Sequence, residues 1–198
     1  INDKSVVRFD GENTYMKIDD LFIDSNTTVV LVCQNAQQTS TASSIHRPIL
    51  AANNNPYRSD GNGFGIGYPR SPYKHFRVSL GDGSNEDKVN SDANSIIQDN
   101  SYAILFFTKE GNAANSSKLY YQSIEDNTYS LIKSGLLSRT SNFHTGYDLG
   151  ANPPDSNGHA ARFYKGDIAE VIIYNRVINA AEMNDLSIYL YDKYCPNN

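Results

Sequence analysis

Residues 162–194 read RFYKGDIAEVIIYNRVINAAEMNDLSIYLYDKY, and their change of period decides the fold. From Arg162 to Tyr174 the chain is rich in β-branched and aromatic residues, as a strand is, with Gly166 placed where a bulge or bend would interrupt it. Beyond Arg176 the pattern becomes helical. Met183, Leu186, Leu190 and Tyr194 share one face, and Asn179 stands three positions before Glu182, the spacing of a capping box. Pro196 ends the helix, since proline lacks the N–H a further turn requires.

Working outward, shorter strands and turns precede this closing unit. Residues 28–34, 63–68, 76–80, 101–109 and 118–123 read as strands. Phe76, Val78 and Leu80 alternate with Arg77 and Ser79, as on a strand with one wet face. Residues 103–107 are continuously apolar, which suits a central strand covered on both faces. Asp10-Gly11, Asp60-Gly61, Asn62-Gly63, Gly81-Asp82-Gly83 and Gly111-Asn112 supply tight-turn chemistry. Frequent turns between short strands predict an all-β antiparallel sandwich closed by a C-terminal helix.

Composition supports this reading. A chain of 198 residues suffices for one sizeable core, so residues 1–198 are expected to form a single domain. Charged residues make up 20% and hydrophobic ones 39%, which leaves enough apolar surface to order the chain. The net charge of −5 and scattered basic residues oppose nucleic-acid binding. No apolar run is long enough for a membrane-spanning helix. The beginning Ile1-Asn2-Asp3-Lys4 carries no signal-peptide pattern and looks like the start of an excised module, with neighbouring domains of a larger chain expected. Cys33 sits in an apolar run and reads as a core residue; a bridge to Cys195 would pin the terminal helix, and sequence leaves that pairing open.

The closing segment resembles that of the laminin-G-like, concanavalin A-like lectin/glucanase family, through Gly166, Ile168 to Arg176, and Tyr189, Leu190, Lys193 and Tyr194. The opening VVRFDGENTYMKI (6–18) resembles the family's first hairpin, with Phe9-Asp10-Gly11 at its turn. The likeness spans nearly the whole chain and implies a concanavalin A-like jelly roll. It implies function less sharply, because this sandwich serves lectins, hydrolase domains, adhesins and spacers. Many relatives hold a structural calcium near the first and last strands, and here Asp10, Asp167 and Glu170 would supply its oxygen ligands.

Catalytic patterns are missing. Glycosidases of this sandwich class set carboxylates at even spacing on one strand face, whereas Asp167 and Glu170 are three apart and would face opposite ways in a regular strand. His46, His75, His144 and His159 are isolated, and no G-x-S-x-G element accompanies them. The glycine run GNGFGIG (61–67) lacks the helix and lysine of a phosphate loop and reads as a strand after a turn. The sequons at Asn26 and Asn115 arise readily in so Asn/Ser/Thr-rich a chain. Sugar recognition instead needs planar polar side chains beside an aromatic ring. Two loops offer that mixture: one carries Asn55, Tyr57, Arg58, Asp60, Tyr68 and Tyr73, the other Asn152, Asp155, Asn157 and His159. The expectation is a non-catalytic glycan-binding module of a secreted, cell-surface or phage protein. The alternative is a structural or protein-interaction domain with no sugar ligand.

Overall fold

The computed structural model describes residues 1, 3–23, 25–35, 46–52, 62–69, 76–91, 100–124, 126–139, 144–152 and 162–194. Two six-stranded antiparallel sheets face one another. The first runs, in spatial order, β1 (Val7–Asp10), β14 (Lys165–Tyr174), β3 (Asn26–Asn35), β8 (Tyr102–Glu110), β9 (Ser117–Ser123) and β10 (Ser130–Gly135). The second runs β2 (Met16–Phe22), β11 (His144–Leu149), β4 (His46–Ala52), β5 (Asn62–Pro69), β6 (Arg77–Asp82) and β7 (Glu86–Asn90). A short ribbon pairs β12 (Ala151–Asn152) with β13 (Arg162–Phe163), and α1 (Ala180–Tyr194) closes the fold.

The alternation of side chains along each strand distributes them between two cores. Leu31, Leu105 and Phe107 of the first sheet meet Phe64, Val78, Leu80 and Tyr147 of the second between the sheets. On the far side of the first sheet, Val30, Val32, Ile104 and Phe106 pack under Met183, Leu190 and Tyr194 of α1. Strands β3 and β8 are therefore buried on both faces. This accounts for the continuous apolar run 103–107, as expected from sequence.

The helix begins at the expected cap. Asn179 Oδ1 accepts the backbone N–H groups of Ala181 and Glu182 at 2.9 and 3.0 Å, and Glu182 Oε2 accepts that of Asn179 at 2.8 Å. Arg176 adds a paired contact to Glu182 at 2.7 and 2.8 Å. Upstream, Thr27 Oγ1 donates to the carbonyl of Tyr174, while Thr28 Oγ1 donates to that of Arg176 and accepts from Ile178 N. Two buried threonines of β3 thus fix the joint between the last strand and the helix.

Three expectations change. The segment 6–18 is not a hairpin: β1 pairs with β14 and β2 with β11, so the turn after Asp10 carries the chain from one sheet to the other. Asp10 Oδ1 holds this turn by accepting the N–H groups of Glu12, Asn13 and Thr14. The bulge in β14 lies between Ile168 and Glu170 rather than at Gly166. Gly166 has a different role, because its φ is +150° and a Cβ there would stand 2.0 Å from the carbonyl oxygen of Gln34. The bulge also reverses the expected faces of Asp167 and Glu170. One extra residue offsets the odd spacing, so both project on the helix side of the sheet, Asp167 opposite Gln34 and Glu170 opposite Val32. Cys33 is the core residue expected, a free thiol on the face turned away from α1, with burial pushing its pKa up to about 12. Cys195 lies outside the described residues.

Packing holds α1 more strongly than its cap does. Leu190→Ala is expected to cost about 2–5 kcal/mol and Asn179→Ala about 1 kcal/mol, measured as denaturant midpoints at an unchanged m-value.

Candidate functional site

The outer face of the second sheet is built by default. Phe64 and Ile66, Val78 and Leu80, and Tyr147 and Leu149 all enter the inter-sheet core, so their strand neighbours face away from it. Across the middle of that face the register aligns Lys17, Asp148, Ala51, Gly65, Ser79 and Lys88. The adjacent row carries Gly67, Arg77 and Asn90. Glycines at 63, 65 and 67 leave β5 without side chains there, so the face has a floor of backbone that a ligand could approach closely.

This floor is polar and buried. Ser79 and Asp148 are fully buried, and Arg77 is 7% exposed. Arg77 pairs with Glu86, Arg77 Nε donates to Ser79 Oγ at 2.9 Å, and Ser79 Oγ donates to Glu86 at 2.7 Å. These three side chains thus partner one another. Both carboxylate oxygens of Asp148, by contrast, lack a hydrogen-bond partner, and so do the amide oxygens of Asn90 and Asn152. An unpartnered buried acceptor carries a desolvation cost of about 1–3 kcal/mol, and native structures keep few of them. Burial raises the Asp148 pKa to about 6, with Lys17 opposing the shift. The site thus holds buried hydrogen-bond acceptors with no partner among the described residues.

Of the residues expected from sequence, Asn152 and Tyr68 fall within the described structure. Asn152 lies in β12, buried, with its free amide oxygen. Tyr68 lies in β5 with its backbone opposite Arg47. Asn55, Tyr57, Arg58, Asp60, Tyr73, Asp155, Asn157 and His159 lie outside the described residues. Sequence reasoning passed over Asp148 and Asn90. The alternation Tyr147-Asp148-Leu149 and the glycines alternating with Phe64 and Ile66 were the signals that point to this face.

The carboxylates expected to hold calcium are already engaged. Arg8 grips both oxygens of Asp167 at 2.8 Å, and Tyr102 OH donates to Oδ2 at 2.8 Å. The Arg8 hydrogen bonds lower the Asp167 pKa against the opposing effect of burial. Glu170 Oε2 accepts from Lys193 and Tyr194, each at 2.8 Å. Asp10 borders the same depression as Asp167, but Lys165 lies there too, opposite Asp10 in the strand register. This trio does not fit a calcium ion, and among the described residues no three His, Cys, Asp or Glu side chains are grouped to hold a metal.

Protonation relieves the cost of burying Asp148. Because its folded-state pKa lies above the ordinary 3.8, its stabilising contribution is full below that value and is lost as pH rises through about 6. Asp148→Asn is expected to flatten this dependence and to add on the order of 1–2 kcal/mol of stability above neutral pH. Thermal unfolding of both proteins across the acid-to-neutral range measures it; parallel curves would contradict it.

No curated protein matches the sequence. Solved structures share the fold at low identity. Domain 4 of AbnA, a GH43 extracellular arabinanase from Geobacillus stearothermophilus, solved with arabinotriose, superposes with a TM-score of 0.57 at 14% identity, covering 92% of this chain and 81% of that one. The CBM40 of the Ruminococcus gnavus IT-sialidase, bound to α2,3-sialyllactose, gives 0.55 at 11% identity, covering 87% and 97%. The enzymatically active domain of bacteriophage CBA120 tailspike protein 2 gives 0.63 at 10% identity. There the match covers 96% of this chain but 27% of the tailspike chain, so the likeness is to one part of it. The family model described as the concanavalin A-like lectin/glucanases superfamily matches residues 10–184, and the chain belongs to that superfamily.

Proposed function

We propose that this domain is a non-catalytic glycan-binding module of a larger secreted or surface-exposed protein, with the outer face of the second sheet as its site. The observation that carries this reading is the unpartnered Asp148 carboxylate on a glycine-floored face turned away from the core. Sugar hydroxyls are donors, and two of them would satisfy its oxygens; the Asn90 and Asn152 amide oxygens offer further acceptors. Structural neighbours solved with arabinotriose and sialyllactose support a glycan as the ligand class. The non-catalytic reading is supported by Asp167 and Glu170, which share a face but are held in ion pairs with Arg8 and Lys193. No helix among the described residues is long and apolar enough to cross a membrane.

A second reading, a protein-interaction module, draws on strand β10. It forms an edge of the first sheet, and Leu131 on it and Leu136 just beyond it are 53% and 42% exposed. Such an edge offers unpaired backbone groups beside apolar side chains.

A glycan and polysaccharide array separates the two. The intact domain is expected to bind a glycan equally in calcium and in chelator. Asp148→Asn should bind roughly tenfold more weakly, through loss of a charge-assisted acceptor, while remaining folded. A folded wild-type domain that binds no glycan would favour the β10 edge.

A further inference from the structure

We infer that the domain carries a second ligand site, for a short neutral saccharide, on the opposite side of the sandwich from Asp148. A pocket of about 470 Å³ opens on the helix side of the first sheet, where the β8–β9 turn, Tyr120 and Tyr129 meet the start of α1. Its volume suits a small ligand.

The walls are fixed by packing. Tyr120 and Tyr129 meet edge to face at 5.8 Å and 82°, and Tyr129 rests on Phe106 at 5.7 Å. Both tyrosines are half-buried. Met183 and Ala114 line it as well, Ala114 exposed in the turn between β8 and β9. Glu110 and Lys118 line the same pocket on neighbouring strands and, among the described residues, form no ion pair. Their charges cancel, and no other described lining residue is charged.

That combination selects a ligand class. A ligand with net charge of either sign gains from one of these side chains and loses to the other. A pyranose presents an apolar C–H face to the tyrosine corner and hydroxyls that serve as donors to Glu110 and acceptors from Lys118. A zwitterionic amino acid would also match the two charges. Both side chains are exposed, however, and an exposed ion pair contributes only about 0–1 kcal/mol. The pocket lies apart from Asp148, so two sites on opposite faces would let one domain bridge two glycan chains.

Nitrogen-15 chemical-shift mapping of the whole domain tests this, titrating cellobiose, maltose and lactose, with phenylalanine as the zwitterionic probe. The expected result is that at least one disaccharide shifts the amides of residues 113–120 and Tyr129. Ala114→Arg, at an exposed turn, should abolish those shifts, and Lys118→Ala should weaken binding by up to about fivefold. Asp148→Asn should leave them unchanged, which separates this site from the one on the second sheet. The inference is overturned if no disaccharide perturbs these residues, if only phenylalanine does, or if Ala114→Arg binds as the wild type does.

Discussion

Strand β14 is the constraint on which the rest of the structure depends. It is laid between β1 and β3, so the chain's two ends close one sheet, and its two faces serve the two cores. Val171 and Ile173 pack toward the second sheet, while Ile172 and Tyr174 pack toward the helix. Gly166 permits the close approach at one end of the strand, where its α-carbon lies against the Gln34 carbonyl. At the other end Thr27 and Thr28 capture the exit toward α1. Burial on both faces makes this strand intolerant of polar substitution along its middle.

Its bulge shows how one residue redistributes chemistry. Without the insertion near Ala169, Glu170 would enter the inter-sheet core as an unpaired charge. With it, Glu170 reaches Lys193 and Tyr194 and ties the last turn of the helix to the sheet. Asp167 is bound in turn to Arg8 and Tyr102, linking β1, β14 and β8. Two carboxylates whose odd spacing would set them on opposite faces of a regular strand thus share one face in the folded chain, each held in an ion pair. The ion pair with Arg8 is screened, since that guanidinium is 78% exposed, whereas Asp167 is nearly buried.

The second sheet follows the opposite logic. Its inner face is as apolar as that of the first, but among the described residues no helix lies on its outer face. Glycine, alanine and serine occupy its centre, and satisfied charges sit beside unsatisfied ones. Keeping Asp148 there is costly to stability above neutral pH. The two faces of the molecule thus differ: one anchors the helix, and the other carries glycine backbone and buried acceptors.

By itself the sequence determined the strand periods, the capping box at Asn179, the doubly buried strand 103–107 and hence the sandwich. These are local or periodic signals that survive without knowing a partner. Three matters were left to the tertiary structure. Whether residues 6–18 pair with each other depended on which sheet each strand joined, a long-range choice. Which face Asp167 and Glu170 share depended on a bulge that leaves no fixed mark in the amino-acid pattern. That Asp148 lacks a partner depended on its register with Ala51 and Lys17, residues roughly 100 positions or more away. Side-chain alternation is encoded in neighbours along the chain, whereas pairing, register and hydrogen-bond satisfaction are properties of segments that meet only in the folded state.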